Sequence, residues 1–424
     1  MRQRISVRVS GYALLLAGLC LPAAAATLCV NPSGKGGCST KINDAVAKAA
    51  PGDRIQVASG TYKEDVIIGK ALSLIGHDAD DTKIDATGLA NGVYVDGVDN
   101  AGLKNVVVSG FTIENANFQG ILVTNASSIT ISGNDVINND KALNVSATPP
   151  CANLPPALQP GEGLDCGEGI HLTGVTNSTV AHNLISGNSG GVLISDDTGA
   201  THDNVISGNS VHDNPYDCGI TLASHNPTTG VYHNTISGND VSHNGFAVGG
   251  AGAGVGLFAP FPGTQTYGNL VVNNRLTNNG LPGVTMHSHV PGTPAPNLND
   301  NVIIGNQISG NNADTADAAT PGPTGINIYG VAPITGIVIL NNNIDNEAVD
   351  VAFKASGAVS AVFNNLGDAI GVDNLGTGTV NALENWWGCP GGPNGGNHCA
   401  TVVGTVDYTP WLTRPIGGNG NHNR

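Results

Sequence analysis

The sequence predicts an all-β protein, a parallel β-helix of stacked coils, and three observations lead there. Glycine supplies 60 of 424 residues while charged residues make up 11% and aromatics 4%. That composition favours short strands joined by tight corners over helix bundles, coiled coils or most doubly wound folds. The tetrapeptide Ile-Ser-Gly-Asn recurs at 131–134, 185–188, 206–209, 236–239 and 308–311. Between the copies lie glycine-led strands starting at Gly169, Gly191, Gly219, Gly254, Gly283 and Gly325, at successive spacings of 22, 28, 35, 29 and 42 residues. A floor near the smallest spacing with variable additions describes one structural turn plus inserted loops. No unit can bury its own apolar face, so the units must stack, their strands pairing at about 4.8 Å per turn.

The elements follow in order. Arg2, Arg4 and Arg8 precede an apolar run and the small residues Ala24, Ala25 and Ala26, the pattern of a signal peptide over 1–26 that would export the chain. Residues 27–413 form one β-helix domain, with an N-terminal cap and first strands over 27–75, coils over 76–380 and a C-terminal cap over 381–413. Within the first part a short capping helix is expected over 40–50, apolar at Ile42, Ala45, Val46 and Ala49 and stopped by Pro51-Gly52. Trp386, Trp387 and Trp411 all fall in the final segment, which makes that cap tryptophan-rich. The tail 414–424, rich in glycine and asparagine, is expected to be disordered.

Charge and cysteine bound the partners. The net charge is −16, and between Lys141 and Lys354 Arg275 is the one lysine or arginine. No basic stripe exists to neutralise phosphates, which excludes nucleic acid. After the first segment no apolar run reaches the ~20 residues of a membrane helix, so membrane insertion is excluded and a soluble monomer is expected. Six cysteines fall in close pairs, Cys29 with Cys38, Cys151 with Cys166 and Cys389 with Cys399, and in an exported chain these read as local disulfides. Cys218 is left as a buried core residue.

The stretch Ala50-Pro-Gly-Asp-Arg-Ile-Gln-Val-Ala-Ser-Gly-Thr-Tyr-Lys-Glu64, the Leu72-Ser-Leu-Ile-Gly76 strand, the repeated coils, and Asn385-Trp-Trp-Gly with Val406-Asp-Tyr-Thr-Pro-Trp-Leu412 resemble secreted bacterial right-handed parallel β-helix proteins of the pectin-lyase-like superfamily. The resemblance covers nearly the whole chain after residue 26 and implies a right-handed, single-stranded solenoid. It implies a polysaccharide partner, extracellular or in a cell wall, with cleavage by a hydrolase or lyase left open against a non-catalytic scaffold that presents loops. The pectin methylesterase motifs beyond Gly60-Thr-Tyr-Lys-Glu64 are absent, and of the polygalacturonase set only the pair Asp196-Asp197 is present.

Two groups of residues stand out as a site. On the glycine-led strands the positions flanking inward Ile or Leu point outward, placing His171, Thr221, Phe258, His287 and Tyr329 on a face suited to sugar binding. Beside it stand Glu162, Asp165, Glu168, Asp196, Asp197 and Asp217. If glycan cleavage occurs, Asp196 or Asp197 would work with Glu168 or Asp217 as acid and base, at the ~5–10 Å separation of two-carboxylate chemistry. The histidines that precede asparagine, at 182, 233 and 243, read as corner grammar. His287 and His289 fall outside that pattern and make a set of only two ligands. No metal site is assigned. Ca²⁺ stays open as a cofactor, with the loop around Asp314 and Asp317 as one place for it.

Overall fold

The computed structural model describes residues 25–147, 166–248, 250–316, 318–396 and 398–417. The expected signal peptide lies almost entirely outside these residues, as do Cys151, Glu162, Asp165, Asp317 and most of the expected tail. Among the described residues the strands form sheets of 14, 12, 11 and 3 members, each strand pairing with its counterpart one coil away. The pairings are parallel, as between Ile170–Thr173 and Val192–Ser195. The chain is a parallel β-helix, and the glycine-led strands stack in register: Ile170 pairs with Val192, Val192 with Ile220, Ile220 with Val255, Val255 with Val284 and Val284 with Ile326.

Inward positions carry Ile, Val and Leu into one continuous core, with Ile194, Ile206, Val211, Leu222, Ile236 and Val241 fully buried. The helix forms over Ile42–Lys48 and buries Ile42, Ala45 and Val46. Its first backbone amides, those of Ile42 and Asn43, donate to the Glu64 carboxylate at 2.7 and 2.9 Å, which satisfies donors the helix cannot pair internally. At the far end Trp387 is wholly buried in the core, and Tyr408 and Trp411 pack against it. Disulfides join Cys29 to Cys38 and Cys389 to Cys399. Cys166 is disulfide-bonded too, and Cys218 is free and buried. Among the described residues no helix is long and apolar enough to cross a membrane.

The corners explain the asparagine surplus. Three ladders run along the rod, through Asn134, Asn183, Asn209, Asn239, Asn274, Asn306, Asn342, Asn364 and Asn385, through Asn139, Asn188, Asn214, Asn244, Asn279 and Asn311 to Glu347, and through Asn204, Asn234, Asn269 and Asn301. At nearly every rung the backbone N–H and the side-chain amide of one asparagine donate to the side-chain oxygen of the next. The residue before each asparagine turns with positive φ, for example Gly208 at 62° and His233 at 55°, conformations that glycine adopts freely and asparagine, aspartate or histidine tolerate.

From the coil of Val106–Ser109 onward one corner is constant and two are not. Between the 14- and 11-stranded sheets the connection is two residues in coil after coil, as between Val205–Ser207 and Ser210–His212 or Thr235–Ser237 and Asp240–Ser242. The inserted residues therefore fall at the two edges of the 12-stranded sheet. Its strands Ile121–Thr124, Ile170–Thr173, Val192–Ser195, Ile220–Ala223, Val255–Phe258 and Val284–His287 are buried on both faces. His171, Thr221, Phe258 and His287 do project outward, but they are only 4%, 3%, 8% and 5% exposed. The expected open groove along these four residues is thus a covered one, while Tyr329 is half-buried and lies with the Lys354 ammonium 5.5 Å from its ring centroid.

Candidate functional site

The carboxylates expected to converge separate into two groups because they flank their strands on opposite sides. Glu168 and Asp217 precede Ile170–Thr173 and Ile220–Ala223, whereas Asp196 and Asp197 follow Val192–Ser195. Ser195 pairs with Thr173, so Glu168 stands about 16 Å of strand away from the coil position that leads to Asp197. That span exceeds the separation two-carboxylate hydrolysis uses. The expected pairing of Asp196 or Asp197 with Glu168 or Asp217 is not what the coil builds.

At the leading edge Glu168 is 1% exposed and both its carboxyl oxygens lack hydrogen-bond partners. Gly190 makes the room, since a Cβ there would lie 2.4 Å from Glu168 Oε2. Burial, with the charges of Asp217 and Asp140 added, pushes the Glu168 carboxyl well above the carboxylate range. Burial raises Asp140 to about 8. Asp217 accepts the Cys218 N–H at 2.6 Å. Burial thus keeps Glu168 and Asp140 protonated near neutral pH.

At the trailing edge the two adjacent aspartates have different tasks. Asp196 is fully buried and accepts four hydrogen bonds: from the hydroxyls of Ser224 at 2.9 Å and Thr229 at 2.8 Å, and from the backbone N–H groups of His225 at 2.7 Å and Asn226 at 3.1 Å. Its lone pairs are committed to shaping the turn that carries His225. Asp197 is the centre of a polarised network. The Ser195 hydroxyl donates to its Oδ2 at 2.5 Å, and His225 Nδ1 lies 2.9 Å from its Oδ1. Since Ser195 spends its proton on Asp197, it accepts from His171 Nε2 at 2.8 Å, which leaves His171 Nδ1 to accept from the Gln119 amide at 3.4 Å. Every donor in the chain from Gln119 through His171 and Ser195, and His225 from the other side, points its proton toward one carboxylate.

The electrostatics agree with that polarity. Burial opposes ionisation of Asp197, but the His225 hydrogen bond and the charges of His225 and His171 outweigh it and hold the carboxyl down at about 2. Burial depresses His171 to about 4, against the pull of Asp197. His171 is therefore neutral near pH 7, as its tautomer requires, and Asp197 is ionised. His225 presents Nδ1 to the carboxylate, which turns its buried Nε2 away from Asp197 and fixes the ring's orientation.

His225 did not stand out in the sequence because Ser224-His225-Asn226 reads like the other His-Asn corners. The signal lay in the register: Ser195 pairs with Ala223, so Asp197 and His225, each two residues further on, occupy equivalent places on adjacent coils. Thr221 faces Cys218 in an apolar cluster with Leu193, Ala223, Ala253 and Phe258. Phe258 packs on His287, ring centroids 4.4 Å apart. Among the described residues no group of three or more His, Cys, Asp or Glu is placed to hold a metal ion.

No curated protein matches the sequence. Solved structures of similar fold include the A-module of a mannuronan C-5 epimerase from Azotobacter vinelandii, with TM-score 0.53, 15% identity, and 88% of this chain and 93% of that one covered. A thermostable alpha-1,3-glucanase catalytic unit from Streptomyces thermodiastaticus gives 0.51 at 15% identity, covering 93% and 70%. DFA-IIIase from Arthrobacter chlorophenolicus gives 0.52 at 13% identity, covering 86% and 94%. At these identities the likeness is one of fold. Residues 79–257 match the family model described as right handed beta helix region, and with the stacked parallel sheets this shows that the chain folds as a right-handed parallel β-helix.

Proposed function

We propose that this protein is exported, recognises a polysaccharide at the covered face of the 12-stranded sheet, and cleaves it with His225 as the base. The observation that carries this reading is the convergence of Gln119, His171, Ser195 and His225 on Asp197. His225 Nε2 would take a proton from water, or from the carboxyl-activated carbon of a uronate, and the imidazolium would return it to the departing glycosidic oxygen as that C–O bond breaks. Asp197, ionised and fixed by Ser195, would stabilise the imidazolium that forms, and His171 would hold the serine in place. Proteins of this fold whose names state an action on mannuronan or an alpha-1,3-glucan support a glycan as the substrate class, and the disulfides, that of Cys166 included, support export. The sparse cationic charge favours a neutral glycan and with it hydrolysis, because elimination needs a uronate and a polyuronate would meet a chain of net charge −16.

The burial of the network favours a second reading. With the His171 and His225 side chains 5% and 4% exposed, it could serve as polar filling beneath loops in a non-catalytic scaffold. Incubation with a panel of plant, algal and bacterial glycans, with and without Ca²⁺, separates the two. Reducing ends report hydrolysis and unsaturated products report elimination. Cleavage of at least one glycan supports the enzyme. No product from any glycan, together with no retardation in affinity electrophoresis, leaves the scaffold.

A further inference from the structure

Two coils beyond His225, the Val284–His287 strand ends in His287 and continues through Ser288 to His289. Alternate residues of an extended chain project to the same side, and here the two imidazoles meet: His287 Nδ1 lies 2.5 Å from His289 Nε2. The ring centroids are 4.6 Å apart with planes 20° from parallel. That centroid separation is close to the largest such a nitrogen contact allows, so the rings aim their nitrogens at one another and do not overlap face to face. One neutral imidazole can donate its N–H to the other's nitrogen here, and a cation can take the place of that proton.

The frame around the pair is fixed. The His289 and Val290 N–H groups both donate to the Pro260 carbonyl, at 3.2 and 2.9 Å. The Val331 N–H donates to the Ser288 hydroxyl at 3.2 Å, and Phe258 packs on the His287 ring. His289 is half-buried, on the solvent side.

We propose that His287 and His289 form a bidentate site for a divalent metal ion that prefers imidazole, of the Zn²⁺ and Cu²⁺ class, with its remaining positions filled by water. Metal–nitrogen bonds of about 2.0–2.1 Å require the nitrogens to open by about 1 Å, a small side-chain rotation at the half-buried His289. Two protein ligands make a weak but open site, and the net charge of −16 raises the local cation concentration. The site does not depend on catalysis at His225.

The test is titration of the full chain with Zn²⁺ by calorimetry and with Cu²⁺ by electron paramagnetic resonance. The wild type should take up one saturable equivalent, and the Cu²⁺ spectrum should show nitrogen coupling. His289→Gln should abolish that equivalent while far-ultraviolet circular dichroism stays unchanged, and His243→Asn, at an exposed corner, should leave it intact. His287→Gln should behave like His289→Gln, and if it fails to fold the half-buried His289 variant still decides. Equal uptake by wild type and His289→Gln, or no nitrogen coupling, would overturn the proposal and leave a shared proton between the rings.

Discussion

Replacing Asn239 by alanine tests the principle that holds the coils together. Asn239 Oδ1 accepts from the backbone N–H and from the side-chain amide of Asn209, each at 3.0 Å. Its own amide donates to the Ile206 carbonyl at 3.0 Å and to Asn274 Oδ1 at 2.9 Å. The alanine variant strands the Asn209 N–H outright and strips one partner each from the Asn209 amide, the Ile206 carbonyl and Asn274, all buried. At about 1–3 kcal/mol for a buried group left unsatisfied, the loss should be roughly 3–5 kcal/mol. Urea unfolding gives the magnitude, and amide exchange should localise the opening to the coils carrying Asn209 and Asn239, because solenoid coils interact with their neighbours only. A loss below about 1 kcal/mol, or exchange that rises evenly along the rod, would refute the ladder as the main polar support.

Stability should peak on the acid side, near pH 4–5, and decline toward pH 8. Asp65, Glu347 and Asp140, raised to about 6, 7 and 8, keep protons that the unfolded chain releases near its ordinary carboxylate pKa. Their contribution is complete below about pH 4 and lost as pH rises through about 6–8. His171 and His287, lowered to about 4 and 3, act oppositely, contributing fully above about 6.5 and losing that as pH falls through 4 to 3. Thermal unfolding across pH should show this, and Asp140→Asn should flatten the decline between pH 4 and 8; an unchanged slope would remove Asp140 as its cause. Asp196→Ala orphans two hydroxyls and two N–H groups and should cost roughly 3–5 kcal/mol, a loss that a folded, unaffected variant would contradict. Gly191→Ala would place a Cβ 2.2 Å from the Gly219 carbonyl oxygen and should destabilise by at least about 1–3 kcal/mol, measured by urea midpoint.

The coil architecture was legible because the same few residues return at equivalent places. Ile206 and Ile236 point inward, Gly208 and Gly238 turn the corner, and Asn209 and Asn239 bond across coils. The floor spacing even gave the register of Val192 on Ile170. What surrounds the 12-stranded sheet was not legible, since the inserted segments at its edges share no motif and their packing over His171 and His287 depends on long-range contacts. The carboxylates misled for a geometric reason. Closeness to successive strands does not say which end of a strand a residue occupies, and Glu168 and Asp197 sit at opposite ends. His225 was hidden by the abundance of His-Asn corners, although its own position follows a glycine-led strand.

The most direct measurement compares initial cleavage rates of wild type, Asp197→Asn and His225→Gln on whichever glycan of the panel is cleaved, with circular dichroism confirming that each variant is folded. Loss of a positioned acid–base group should reduce the rate by about 10²–10⁴-fold in both variants. Rates equal to wild type in either folded variant would show that the network centred on Asp197 is structural and that no proton passes through His225.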